Sequence, residues 1–193
     1  MTARVVTSDQ AAARDAAAIA AGIPSLQLMR RAGAGAARVI LDRFAPARGR
    51  RALVCCGPGN NGGDGWIVAA ELARAGMLVH VEQVLEPRTT DATTAREDAL
   101  PFVALGTPAS PPDVVIDALL GTGAQGPLRG AVAESAARIN DARRHGAIVV
   151  ALDLPSGRRR QHRRTRAGRR ARRPHDHLRD RQAWTAPVSL GVR

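Results

Sequence analysis

Three apolar runs in this chain each end at glycine with an aspartate close by, and that repeated ending limits the fold more than any other feature. Ala52-Leu53-Val54-Cys55-Cys56 leads into GPGNNGGDG (57–65), VVIDALL (114–120) into GTGAQGPLRG (121–130), and AIVVALDLPSG (147–157) carries its own glycine turn. Near-continuous apolar runs of this length predict strands covered on both faces, which is the condition of a parallel sheet. Helical patterns separate them: WIVAAELARAG (66–76), a stretch near 91–100, and 131–144. MLVHVEQV (77–84) reads as one more strand. Strand, loop, helix, strand is a βαβ unit. The alternation predicts an α/β fold, a mostly parallel sheet with helices on both faces. Two helices precede it. Residues 7–21 have Thr7 and Gln10 at capping-box spacing and Gly22 as a stop. Pro24 and Ser25 open a second helix to about Phe44, with Leu26, Met29, Gly33, Ala36, Ala37 and Ile40 on one face. Residues 87–112 otherwise read as a Pro-rich connection.

The chain has 193 residues, enough for one domain and a tail. No apolar run is long enough to span a bilayer, and MTARVVTSDQ lacks a secretory h-region, so the expectation is a cytoplasmic protein. Cys55 and Cys56 are adjacent and form neither a disulfide framework nor a CxxC site. The net charge of +12 invites a nucleic-acid reading, but its distribution argues against one. Lysine is absent, and thirteen of the 29 arginines follow Gly157 with only two acids among them. Residues 1–157 hold sixteen arginines against fifteen acids. With 2% aromatic residues and no tyrosine, a stacking platform for single strands is not expected either.

In open α/β sheets, ligands bind beyond the carboxyl ends of the strands. Asp64, Asp117 and Asp153 should meet there. Each alone could serve only as a cap or a turn former; three at one edge point to a site. Gly57-Pro58-Gly59-Asn60-Asn61-Gly62 matches GxGxxG after a strand, and Glu82 lies about where a ribose-binding acid would be sought. The loop departs from that fingerprint in its two asparagines and in continuing Gly63-Asp64-Gly65. Amide oxygens suit a hard cation or a ribose hydroxyl, and N–H groups at a helix start suit a phosphate. The loop therefore implies a nucleotide-like ligand more firmly than redox chemistry. His80, in a strand, and His145, near a helix end, read as structural.

GPGNNGGDG, then DALLGTGAQGPLRG, then ALDLPSG, preceded by VVTSDQ and AIAAGIPSLQLMRRAG, resembles the NAD(P)H-hydrate epimerase family, the YjeF N-terminal domain. The resemblance runs from about Val5 to Gly157; Arg30-Arg31 departs from it, where an acid or amide is common. It implies a Rossmann-like three-layer α/β/α homodimer that interconverts the R and S forms of NADH and NADPH hydrated at nicotinamide C6. By motif it implies that Asn60, Asn61, Gly62, Gly63 and Asp64 line the substrate site. Gly121, Thr122, Gly123, Ala124, Gln125, Gly126, Pro127 and Asp153 would join them. It implies a potassium ion held by Asn61, Asp117 and Ser156, an oxygen-only set suited to such a cation. The chain is too short to carry the dehydratase domain fused in many members. Asp153 is the candidate acid–base residue, because it ends a buried strand where desolvation would raise its pKa. Its alternative role is to order the Pro155-Ser156-Gly157 turn. Asp64 reads as a loop organiser or ribose contact. Two other functions stay open: a non-catalytic binding and dimerisation module, and an NAD(P)-dependent oxidoreductase.

After Gly157 the resemblance stops. RRRQHRRTRAGRRARRPHDHLRDRQAWTAPVSLGVR has no apolar periodicity, and such a composition does not build a core. Codons exist for this segment whose neighbouring frame, one base on, reads VDANTGARVPGAVRADHTITFVTAKPGL. That string resembles the family's continuation. The expectation is a truncated domain over 1–157 and an out-of-frame, disordered tail over 158–193, with the last strands of the sheet missing. A genuine basic nucleic-acid-binding tail is the alternative.

Overall fold

The structure, a computed structural model, describes residues 8–124 and 126–156. Two helices, α1 (Ser8–Ala20) and α2 (Ser25–Arg43), lead into β1 (Arg51–Cys56), α3 (Asn60–Arg74) and β2 (Leu78–Gln83). Then follow α4 (Thr90–Ala99), a 3-10 turn (Leu100–Phe102), β3 (Ala104–Leu105), β4 (Val114–Ala118), α5 (Gly130–Arg144) and β5 (Ile148–Ala151). The strands form one five-stranded sheet in the order β3-β2-β1-β4-β5. Every neighbouring pair is parallel, with Val54 opposite Val81 on one side and Ile116 on the other.

The apolar runs form this sheet because both of its faces are covered. Val54, Cys56, Ile116 and Ala118 pack with Met29, Ile40, Trp66 and Leu72 of α2 and α3, and with Ala95 and Ala99 of α4. On the other face Leu53, Cys55, Val115 and Leu119 pack with Val132, Ala136 and Ile139 of α5. A fully buried side chain such as Trp66 or Ile116 contributes roughly 1.5–3 kcal/mol by leaving water. The result is the expected Rossmann-like three-layer α/β/α arrangement. No described helix is long and apolar enough to cross a membrane.

Three features differ from the sequence reading. The helix read over 66–76 begins at Asn60, so most of the supposed loop is its first turns. The connection over 87–112 holds a two-residue edge strand, β3, whose residues are both exposed. The last strand ends at Ala151, short of the 147–157 run. Gly157 and the arginine-rich segment 158–193, with everything expected of them, lie outside the described residues.

Candidate functional site

From β1 the chain builds outward through β2 to β3, then returns to place β4 and β5 on the other side of β1. The crevice at the carboxyl ends of β1 and β4 is therefore the topological switch point, where such sheets bind ligands. The two glycine loops meet there. Gly57 donates its N–H to the Ala118 carbonyl at 3.0 Å. A Cβ on Gly57 would lie 1.8 Å from the Leu119 carbonyl oxygen, and one on Gly62 would lie 1.9 Å from that of Gly57. Only glycine permits this approach. Gly59 caps α3 with no side-chain hydrogen bond, so no capping side chain occupies the N–H groups of the first turn.

Asp117, 5% exposed, is the penultimate residue of β4 and ties the loops after β4 and β5 together. Its Oδ1 accepts from the Ser156 hydroxyl at 2.7 Å and from the Leu119 N–H at 3.2 Å, and its Oδ2 accepts from the Ser156 N–H at 2.8 Å. The Ser156 hydroxyl oxygen in turn accepts from the Leu120 N–H at 3.2 Å. Asn61, in the first turn of α3, keeps its Nδ2 buried with no hydrogen-bond partner among the described residues. An unpaired buried amide costs about 1–3 kcal/mol, and a half-turn about χ2 would put its oxygen in the same place.

Asp153 follows β5 with φ of 66°, a left-handed conformation uncommon outside glycine that aspartate and asparagine adopt more readily than other residues. Its Oδ2 accepts from the Thr122 N–H at 2.5 Å. A Cβ on Gly121 would sit 2.9 Å from that same oxygen and 3.4 Å from Asn61 Cβ. Asp64, one turn along α3 from Asn61, has its pKa pushed up to about 7, first by burial, then by the negative charges of Asp153 and Asp15. The carboxyl that burial lifts is thus Asp64, in a helix rather than in a loop.

The structure brings together Asn61, Asp64, Gly121, Thr122 and Asp153, with the Asp117–Ser156 clamp alongside. Gly62 and Gly63 form the α3 wall; a Cβ on Gly63 would meet the Met29 sulfur at 2.6 Å. Asn60 points elsewhere: it is exposed, and its Oδ1 accepts from the Thr89 hydroxyl at 2.8 Å. Gly123, Ala124, Gly126 and Pro127 run along the exposed continuation of the second loop, and Gln125 lies outside the described residues. Glu82, sought as a ribose acid, faces α5 and pairs with Arg138. His80 and His145 lie in β2 and at the end of α5, as expected. The sequence reading passed over Arg88 and Thr89, which carry the loop after β2 against the first glycine loop. Their signal was position alone, just beyond the carboxyl end of β2 and at the N-cap of α4.

Glycine loops, a helix start and carboxylates gathered at a switch point define the class: a Rossmann-like α/β domain with its candidate site at the carboxyl edge of the sheet. Residues 25–168 match the family model described as YjeF-related protein N-terminus, and the chain belongs to that family. The match runs past Gly157, beyond where the resemblance was expected to stop. An NAD(P)H-hydrate epimerase of Rhodobacter capsulatus is 39% identical over 169 residues, covering 80% of this chain and 77% of that protein. A bifunctional NAD(P)H-hydrate repair enzyme, Nnr, of Thermanaerovibrio acidaminovorans is 39% identical over 161 residues, covering 77% of this chain. The chain spans only 31% of that longer relative. The crystal structure of the yeast protein YNL200c has a similar fold, with a TM-score of 0.66 and 23% identity, over 79% of this chain and 70% of that one.

Proposed function

We propose that this domain is an NAD(P)H-hydrate epimerase, an isomerase that interconverts the R and S forms of NADH and NADPH hydrated at C6 of the nicotinamide. The observation that carries the reading is Asp153. A non-glycine residue in the left-handed region costs on the order of 1–3 kcal/mol and persists where the surroundings over-determine it. Here that conformation brings a carboxylate across the switch point to Thr122 and Asp64. The relatives' names supply the substrate, and glycines at both loops bring the two loop backbones together at this edge of the sheet.

The hydroxyl at C6 sits on a carbon bonded to the ring nitrogen. When a carboxylic acid protonates that oxygen, water leaves and the nitrogen lone pair closes a C=N bond. Water then adds to the other face and returns its proton to the carboxylate, so nothing is consumed and only the configuration changes. Asp153 is the acid and base in this scheme, a role worth about 10²–10⁴-fold. Asp64, its pKa pushed up to about 7, is partly protonated beside it at neutral pH. The Thr122 N–H fixes the carboxylate, and Gly121 leaves it the space a side chain would crowd.

Asn61, Asp117 and Ser156 are the residues that would hold a potassium ion. With the Asn61 amide turned half about χ2, its oxygen would take the position of the unpaired Nδ2 and join the hard oxygens of Asp117 and Ser156, a set that fits such a cation. Bound there, it would supply positive charge to a site otherwise lined by carboxylates. The homodimer and the cytoplasmic location expected from the sequence belong to the same reading. So does the boundary at Gly157, with an out-of-frame segment after it.

The test is direct. One epimer of hydrated NADH is incubated with the protein and resolved by chromatography. Interconversion without change of oxidation state supports an epimerase; oxidation or reduction of the ring would instead support an oxidoreductase. Asp153→Asn should abolish interconversion while nucleotide binding survives. Unchanged turnover in that variant would remove Asp153 from the acid–base role.

A further inference from the structure

The loop after β2 carries an observation that the epimerase reading does not use. In dinucleotide-binding sheets the residue at the carboxyl end of β2 reads the adenosine ribose. An acid there bonds the 2′-hydroxyl, and an arginine nearby accepts a 2′-phosphate. In this chain the acid is unavailable. Glu82 has a side chain only 12% exposed, pairs with Arg138 of α5 and accepts from the Cys55 thiol at 3.7 Å. Gln83 is committed too: its Nε2 donates to Glu86 at 2.6 Å and its Oε1 accepts from Arg96 at 2.5 Å.

What stands at the glycine loop instead is Arg88. Its backbone N–H donates to the Pro58 carbonyl at 2.8 Å, which fixes its Cα beside the turn GPGN. The next residue, Thr89, locks the same loop by donating to Asn60 Oδ1 at 2.8 Å, while its hydroxyl accepts from the Ala92 N–H at 3.3 Å to cap α4. Arg88 is exposed, and none of the ion pairs among the described residues uses its guanidinium. A rigid backbone anchor with an unpaired planar cation is the arrangement that recognises phosphate bidentately.

We propose that Arg88 reads the 2′-phosphate of the adenosine half, so that this domain prefers the phosphorylated hydrated cofactor over its unphosphorylated counterpart. The proposal rests on the epimerase reading for its substrate class and adds a specificity-determining residue. A hydroxyl in place of the phosphate leaves the guanidinium solvated and gains little. A phosphate dianion gains a charge-assisted pair, and the alternative acid, Glu82, is turned to the opposite face.

The probes are adenosine 2′,5′-bisphosphate and AMP, titrated calorimetrically into the full chain. The wild type should bind the bisphosphate about 10-fold or more tightly than AMP. Arg88→Ala keeps the backbone N–H to Pro58; it should bring the two affinities within about 2-fold while leaving AMP binding unchanged. In the epimerase assay, the same variant should raise KM for hydrated NADPH with kcat unchanged, and leave hydrated NADH untouched. Equal binding of both probes by the wild type, with epimerisation intact, overturns the role of Arg88 and leaves the epimerase reading standing. A preference that survives Arg88→Ala also overturns it. Binding of neither probe, with no epimerisation, overturns both.

Discussion

Asp64 is the residue whose ionisation most depends on the fold. Its carboxyl is raised from an ordinary value of 3.8 to about 7, mainly by burial. In the unfolded chain the same group ionises near its ordinary value. Folding therefore favours the protonated form, and the stability this contributes is fully present below about pH 4 and is lost as pH rises through about 7. Asp64→Asn removes the titration and keeps the shape. The stability of wild type relative to the variant should fall by roughly 2–3 kcal/mol between pH 5 and pH 8. Urea denaturation of both proteins at the two pH values measures it, and a constant difference would refute the assignment. The sequence gives no hint of this shift. Asp64 is legible as an aspartate in a glycine-rich segment, but its burial depends on where α3 sits and on Asp153, 89 positions later. Asp117, in contrast, lies within the apolar run VVIDALL, so its place at the carboxyl edge of the sheet was legible.

At the scale of the element, the strands and the positions of their glycine loops were readable because a parallel sheet writes itself as uninterrupted apolar runs. The start of α3 was not. Asn and Gly have poor intrinsic helix propensity, so NNGGDG reads locally as loop. What makes it helical is packing. Gly62 lies against Gly57, Gly63 against Met29, and Gly65 against Ala118 and Cys56. A side chain at any of these would hold the helix off the sheet. Strand β3 was missed for the opposite reason, since two exposed residues carry no periodicity. Two glycines within four residues should therefore respond differently. Gly62→Ala, whose Cβ would meet backbone oxygen at 1.9 Å, should destabilise by about 1–3 kcal/mol or more. Gly59→Ala, with nothing within 4 Å, should stay within about 1 kcal/mol of wild type. Denaturant midpoints of the two variants test this, and similar losses at both positions would contradict the close-approach argument.

The whole molecule poses a different question, because β5 is the outermost strand of the described sheet beyond β4. Strand β5 carries the residues that lead to Asp153 and Ser156, so whatever stabilises its outer edge also steadies the site. Ile148 on this strand is 39% exposed, although its neighbour in register, Val114, is fully buried. An apolar edge of this kind pairs readily with another strand. The arginine-rich segment offers no apolar alternation, whereas the neighbouring-frame string contains HTITFV, whose Ile and Phe alternate with Thr at strand period. Replacing residues 158–185 with VDANTGARVPGAVRADHTITFVTAKPGL should therefore raise both stability and epimerase turnover. A rise of about 2–4 kcal/mol corresponds to burying one or two large apolar side chains at that edge. Thermal denaturation and the epimer assay on the replaced and unreplaced proteins measure it. A gene sequence that cannot encode the string in its neighbouring frame would remove the frameshift. A replaced protein no more stable or active than the original would remove the structural consequence argued from it.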